Sequence, residues 1–154
     1  MGYGRSGRYV KPPPGIQPDY SHHLMRGPSG EMPAGLWLFN EGAGSRLMDL
    51  SPKKNQCTMT SFAFTPASGW TGGRRGPALI FDAVDDYGKV SNVFTPPGAY
   101  TISAWAQKRA STAAYVRLFC TTPYSQGDNI FLGTLDGNWY AQAGNGTTAI
   151  INGS

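Results

Sequence analysis

The sequence is poor in charged residues and in the residue types that carry out catalysis. Asp, Glu, Lys and Arg make up 14% of the 154 residues, against about one quarter in a typical globular domain. The only glutamates are Glu31 and Glu41, and the only histidines are the neighbours His22 and His23. Neither set provides the paired carboxylates of a glycosidase, the ordered residues of a triad, or zinc-ligand spacing. The sequence therefore predicts a protein that is not an enzyme.

Cysteine is also scarce. Cys57 and Cys120 are the only two, too few for a disulfide framework, and their spacing leaves open whether they pair. Both lie in apolar runs, where cysteine usually behaves as a small buried hydrophobe. The N-terminal MGYGRSGRYVKPPPG lacks the apolar region of a secretory signal, and no apolar run has the length of a membrane span. We therefore expect neither a signal peptide nor a membrane partner.

Glycine, proline and aromatic residues are plentiful. The 21 glycines and 12 prolines favour short strands and turns over helices, and the 12% of aromatic residues supply the burial of a folded core. The net charge of +4 comes from scattered cations, so nucleic acid is not expected as a partner. The length fits one domain.

The first 33 residues differ from the rest of the chain. They contain six of the twelve prolines and show neither a strand nor a helix period. Three consecutive prolines favour an extended polyproline II conformation without internal hydrogen bonds. We therefore predict an extended N-terminal arm over residues 1–33 and a folded domain over residues 34–154. The candidate interface residues of the arm are Arg5, Arg8, Lys11, Pro12, Pro13 and Pro14.

From residue 35 onward, short apolar runs alternate with turn residues. Strands are predicted at residues 35–40, 57–64, 78–82, 87–91, 100–107, 114–121, 129–134, 138–143 and 147–151. Trp37 is expected in a central strand, while residues 78–81 and Trp105 are expected in the core. Residues 135–138 (LDGN) predict a hairpin turn. The fold class is an all-β antiparallel sandwich.

Several ordered motifs resemble one known family. GLWLFNEGAG at 35–44, MDLS at 48–51, WTGG at 70–73, GPALIFD at 76–82, VDDY at 84–87 and YTISAW at 100–105 resemble the laminin G-like branch of the concanavalin A-like jelly rolls. The resemblance implies a jelly-roll β-sandwich. It departs from the family pattern at Gly88, where an apolar residue is usual. The family's later motifs are not recognisable, which suggests a sandwich that is incomplete at its C-terminal end, with an open sheet edge.

The resemblance also raises three questions about function. The superfamily includes glucanases, but their Glu-x-Asp-x-x-Glu strand is absent here. Many relatives bind Ca²⁺, for which Asp82, Asp85 and Asp86 are the candidate ligands, because oxygen ligands suit this ion; local hydrogen bonding by these aspartates is the preferred alternative. No cofactor other than Ca²⁺ is suggested.

A carbohydrate site would need an exposed aromatic ring beside amide groups. Asn138, Trp139 and Tyr140 have the right residue types, with cross-strand packing as the preferred alternative.

The arm provides a fainter resemblance. PDYSHHLMRG at 18–27, ahead of GLWLFNEG, is similar to laminin G-like proteins of tailed bacteriophages. We therefore expect a virion-associated decoration or head/tail protein, found in the virion or in the cytoplasm before assembly. Its partners would be other protein subunits, as a homo-oligomer or a capsid or tail lattice, held through the arm and a sheet edge. A carbohydrate-binding adhesion module is the alternative function.

Overall fold

The computed structural model describes residues 11–22, 25–27, 30–91, 101–107, 115–120, 131–135, 138–143 and 147–150. The chain divides into two compact units, residues Met1–Val93 and Phe94–Ser154, called here the first and the second unit. All strand pairs are antiparallel, and the described residues contain no α-helix. The all-β prediction is therefore confirmed. Among the described residues, no helix has the length and apolarity needed to span a bilayer.

The first unit contains a three-stranded sheet and a separate hairpin. Strands β1 (Arg46–Leu47), β2 (Cys57–Thr60) and β5 (Tyr87–Lys89) pair in the order β1-β2-β5. Strands β3 (Gly69–Gly73) and β4 (Gly76–Ile80) form the hairpin, with Gly73 opposite Gly76.

The core of the first unit lies on one face of β2. Cys57 and Met59 are buried and Thr58 is exposed, as a half-buried strand with a period of two residues requires. Leu47 and Phe62 complete this cluster, and Trp37, Phe39, Trp70, Leu79 and Val90 pack around it. This small core therefore packs against the β3–β4 hairpin, through Trp70 and Leu79, and against Val90, which follows β5.

The second unit contains one four-stranded sheet. Its strands pair in sequence order: β6 (Tyr115–Cys120), β7 (Phe131–Leu135), β8 (Asn138–Ala143) and β9 (Thr147–Ile150). Leu135 pairs with Asn138, so the hairpin predicted from residues 135–138 is present. The register of β6 against β7 shifts between Arg117 and Phe119, as at a β-bulge.

Two predicted strands are not formed. Residues 35–40 make only an isolated bridge between Trp37 and Asp49, and Phe39 has a φ of 54°, which no β-strand allows. Residues 101–107 contain no strand, and Trp105 is 97% exposed, so its assignment to the core was wrong. β1 was not predicted because it has only two residues, and β3 was not predicted because it is rich in glycine.

Two predictions about burial also need correction. Residues 78–80 are half-buried, and Phe81 is exposed, rather than forming a fully buried run. Both cysteines are free; Cys57 is buried as expected, but Cys120 is exposed.

Candidate functional site

The N-terminal arm is fixed to the first unit at Lys11. Its amide N–H donates to the carbonyl of Arg75 at 2.7 Å. Its Nζ donates to the carbonyls of Phe39, at 3.0 Å, and of Pro77, at 2.6 Å. Burial of the ammonium group lowers the pKa of Lys11, and the charge of Glu41 opposes this shift. Lys11 is therefore an anchor within its own chain.

Other arm residues reinforce this attachment. The side-chain amide of Asn40 donates to the carbonyl of Pro12 at 2.5 Å, and Lys54 Nζ donates to Gln17 Oε1 at 3.3 Å. Tyr20 is half-buried, and burial, together with the charge of Asp49, raises its pKa. Arg5 and Arg8 lie outside the described residues.

The three prolines lead into a tight turn. The amide of Ile16 donates to the carbonyl of Pro13 at 3.3 Å, and Gly15 has a φ of 88°, a value that glycine adopts at little cost. A turn thus includes the last two of the three prolines, for which the sequence predicts a polyproline II conformation. Pro13, Pro14 and Ile16 are all exposed. We call residues 13–16 the apolar turn.

A shallow groove lies next to the point where Lys11 is anchored. It has a volume of about 380 Å³, and we call it the glycine groove. Its lining residues are Gly42, Trp70, Thr71, Gly72, Gly73, Gly76 and Pro77. The indole N–H of Trp70 donates to the carbonyl of Gly44 at 2.8 Å, which fixes the ring. No sequence pattern predicted this groove, except that WTGG at 70–73 places a tryptophan beside glycines.

Asp82, Asp85 and Asp86 lie close together in the loop before β5. One carboxylate oxygen from each lies within 4.8 Å of the others. The amide of Asp82 donates to Asp86 Oδ2 and the amide of Val84 donates to Asp82 Oδ1, both at 2.8 Å. Such local hydrogen bonds are what we expect if the aspartates stabilise the loop rather than bind Ca²⁺.

One carboxylate oxygen of this acidic loop takes part in none of these hydrogen bonds. Asp86 Oδ1 is buried and has no hydrogen-bond partner among the described residues. Adjacent aspartates would point to opposite faces of a strand, but residues 82–86 form a loop in which Ala83 has a φ of 66°. The loop therefore brings together oxygen ligands of the kind that a hard cation such as Ca²⁺ prefers.

The three candidate sugar-binding residues are all in β8. Asn138 and Trp139 are both exposed, the latter at 37%. Successive residues of a strand face opposite sides of the sheet, so Asn138 and Trp139 do not form one flat platform. Tyr140 is described by its backbone pairing alone, with Gly133 and Ile150.

Asp49, to which sequence reasoning assigned no role, accepts four hydrogen bonds through its side chain. Asp49 is 3% exposed. Its Oδ1 accepts from the amides of Leu36, at 2.9 Å, and Ser51, at 2.8 Å. Its Oδ2 accepts from the Ser51 hydroxyl and the Asn55 amide, both at 2.7 Å. Asp49 thus ties residues before β1 to the turn that follows it, a structural rather than a chemical role.

The anchoring of the arm gives a first prediction. Lys11→Met keeps most of the aliphatic chain but removes both Nζ hydrogen bonds, so we expect a loss of ~1–2 kcal/mol in unfolding free energy. Urea denaturation followed by tryptophan fluorescence measures this loss. Lys53→Met, at an exposed lysine, is the matched control and should be near neutral. Equal stability of the two variants would show that the arm is not held by Lys11.

The two cysteines give a second prediction. Burial, together with the charge of Glu41, raises the pKa of Cys57 to about 11, so a thiol reagent at pH 8 should modify Cys120 and leave Cys57 unmodified until the protein unfolds. Because the pKa is raised in the folded state, the thiol contributes stability that is present below pH 9 and lost toward pH 11. The stability difference between the wild type and Cys57→Ala should shrink over that interval. Rapid modification of both thiols in the native protein would contradict this description.

Comparison with known proteins identifies the fold but no family. No protein-family model matches the chain, and no curated protein matches it. A solved structure, the S-layer domain-containing protein (residues 221–444) from Clostridium thermocellum, is similar, with a TM-score of 0.57 and 18% identity. The match covers 78% of this chain, which spans 56% of the matched one. At this identity the likeness shows a shared fold only.

Proposed function

We propose that the chain is a non-catalytic structural module that works by assembly with other protein subunits. One observation carries this proposal. In the described part of the first unit, only five hydrophobic side chains are buried, and seven large ones are exposed. The exposed side chains are Ile16, Met32, Met48, Phe64, Phe81, Val84 and Tyr87.

The exposed apolar side chains are partly grouped. The ring of Phe62 contacts those of Phe64 and Phe81, with centroids 6.1 Å and 5.1 Å apart, and both outer rings are nearly half exposed. Val84 and Tyr87 follow in the same segment of chain, at 84% and 49% exposure. Exposed groups of apolar side chains are typical of surfaces that bind other proteins.

The edge of the first sheet supports the same interpretation. β5 is at the end of the order β1-β2-β5, and all three of its residues are exposed. An edge strand presents unpaired backbone groups, to which a strand of another subunit can be added. We accordingly propose that subunits attach through this edge as well as through the arm.

Two finer parts of the proposal rest on the sequence resemblance. The laminin G-like motifs support a jelly-roll β-sandwich, incomplete at its C-terminal end. The similarity of the arm to phage-encoded proteins supports a decoration or head/tail role in a virion. The S-layer domain-containing protein is too distant to contribute to this part of the argument.

The contacts of the acidic side chains support the proposal that the module is non-catalytic. Asp49 is fully engaged in structural hydrogen bonds. Glu41 Oε1 accepts from the amide of Met48 at 2.7 Å, while its Oε2 is buried without a hydrogen-bond partner among the described residues. Glu31 is exposed in the arm. The Asp49 carboxylate, in a residue that is 3% exposed, is therefore not accessible to a substrate.

Sedimentation velocity of the full chain tests the proposal. We expect species that are multiples of 16.5 kDa, with a distribution that shifts to larger species as concentration rises. A monomer at every concentration, with or without capsid or tail particles in the same run, would refute the assembly function.

A module that binds carbohydrate and, at a separate site, Ca²⁺ is the second candidate. The cation site is favoured by Asp86 Oδ1, which is buried and has no hydrogen-bond partner among the described residues. Ca²⁺ at 100 times its Kd should stabilise the wild-type protein by about 2.7 kcal/mol. Asp86→Asn should abolish the effect, and Asp19→Asn, at an exposed arm aspartate, should leave it intact.

On a glycan array, Trp139→Ala should lose binding without unfolding. An absence of both Ca²⁺ stabilisation and glycan binding would eliminate this candidate.

A further inference from the structure

The apolar turn and the glycine groove are connected through Lys11. Pro77, which accepts a hydrogen bond from Lys11 Nζ, lines the groove. Side-chain carbons of Lys11 lie 3.6–3.9 Å from the position that a Cβ on Gly76 would occupy, and Gly76 also lines the groove. The apolar turn begins two residues after Lys11. The two features therefore belong to one surface of the first unit.

The groove is chemically suited to the turn. Its lining consists of four glycines, Thr71, Pro77 and the ring of Trp70, and none of these residues is charged. An exposed turn that contains prolines loses little conformational entropy on binding, because each proline ring already fixes φ. Pro13, Pro14 and Ile16 form an uncharged, exposed projection of this kind.

The turn does not fill the groove of its own chain. Pro13 and Pro14 are exposed, Ile16 is 51% exposed, and none of the three lines the groove. When a projection and a recess lie side by side on one surface, a second copy related by a two-fold axis satisfies both contacts at once. Each copy then donates its turn to the other.

We propose that the apolar turn of one copy docks into the glycine groove of a second copy, and that the reciprocal contact closes a two-fold dimer. This inference rests on the proposed assembly function and specifies one of its interfaces. The indole ring of Trp70, fixed by its hydrogen bond to Gly44, is the aromatic surface against which Pro13, Pro14 and Ile16 pack.

Gly72 allows the groove to be filled without disturbing the fold. A Cβ added there meets no atom within 4 Å, and Gly72 lines the groove, so we expect the leucine in Gly72→Leu to occupy groove space without a clash. We expect the dissociation constant of the dimer, measured by sedimentation equilibrium, to rise about tenfold or more. Ile16→Ser should have a similar effect from the opposite side of the contact.

Ala67→Leu adds comparable bulk at an exposed position outside the groove and is the matched control, expected to dimerise like the wild type. Unfolding midpoints in urea show whether each variant is folded. Dimerisation of folded Gly72→Leu at the wild-type affinity would overturn the inference while leaving assembly through another surface in place. A wild-type chain that stays monomeric would overturn both.

Disulfide trapping identifies the contact directly. In a Cys120→Ser background, with Cys57 buried, chains with Ile16→Cys and chains with Gly72→Cys are mixed and oxidised, one of them carrying a mass tag. We expect covalent dimers that contain one chain of each kind. If oxidation of the double variant instead closes the bond within single chains, the turn belongs to its own groove, and the inference is wrong.

Discussion

Asp49→Ala is expected to unfold the first unit or bring it to the margin of stability. Four donors, the amides of Leu36, Ser51 and Asn55 and the hydroxyl of Ser51, lose their acceptor together. Leaving a buried donor unsatisfied costs ~1–3 kcal/mol each, and domains of this size are stable by only ~5–15 kcal/mol. We therefore expect a loss of at least ~4 kcal/mol once partial access to water is allowed for. Chemical denaturation monitored by tryptophan fluorescence measures it.

Asp49→Asn separates hydrogen bonding from burial. The amide oxygen can replace Oδ1, while the amide nitrogen cannot accept from the Asn55 amide as Oδ2 does. A loss of ~2 kcal/mol, between the wild type and the alanine variant, is expected. An alanine variant that loses under ~1 kcal/mol, the typical net contribution of one hydrogen bond, would show that this network does not hold the unit together.

The second large effect is expected at Gly88, which departs from the laminin G-like motif. Gly88 pairs with Met59 across β2 and β5, and a Cβ on Gly88 would lie 2.7 Å from the Sγ of Cys57. Gly88→Ala is therefore expected to destabilise the unit by ~1–3 kcal/mol through overpacking. The sequence uses a small residue here because the buried thiol occupies the space.

A double-mutant cycle tests this explanation. In a Cys57→Ala background the sulfur is gone, and Gly88→Ala should become neutral or stabilising by up to ~1 kcal/mol, because alanine reduces the entropy of the unfolded chain. The stability of all four chains of the cycle is measured by chemical denaturation at pH 7 under identical conditions. Equal costs of Gly88→Ala in the two backgrounds would mean that the thiol is not the obstacle.

The parts of the fold that sequence reasoning predicted are those determined by local pattern. The side chains of β2 and β6 alternate with a period of two residues, and β8 begins at the end of the LDGN turn signal. Each of these strands lies within a predicted strand. The pairing of Leu135 with Asn138 follows from a two-residue turn. Where the hydrophobic period and the turn residues agree, no knowledge of distant contacts is needed.

The failures have a different physical origin. Residues 35–40 have the composition of a buried strand, but the carboxylate of Asp49, distant in sequence, takes the Leu36 amide that a neighbouring strand would have paired. Residues 101–107 alternate well, yet a strand exists only with a partner, which a single segment cannot specify. Long-range hydrogen bonds and strand partners thus decided what the local pattern left undetermined.

The candidate sites also divide into features that local sequence predicts and features that depend on distant contacts. Lys11 and the prolines were identified from composition, but their attachment to the carbonyls of Phe39 and Pro77 depends on residues far along the chain. The clustering of Asp82, Asp85 and Asp86 depends on a loop conformation rather than a strand. The glycine groove was missed because glycines define a recess only when the surrounding side chains are in place.

The proposed function requires that subunits cover the exposed apolar side chains of the first unit. Hydroxyl-radical footprinting of the full chain measures this change in exposure, at concentrations where the chain is assembled and where it is dissociated. We predict that oxidation of Phe64, Phe81 and Tyr87 falls on assembly, while oxidation of the already buried Met59 stays low in both states. Equal oxidation of the three exposed rings in both states would contradict the claim.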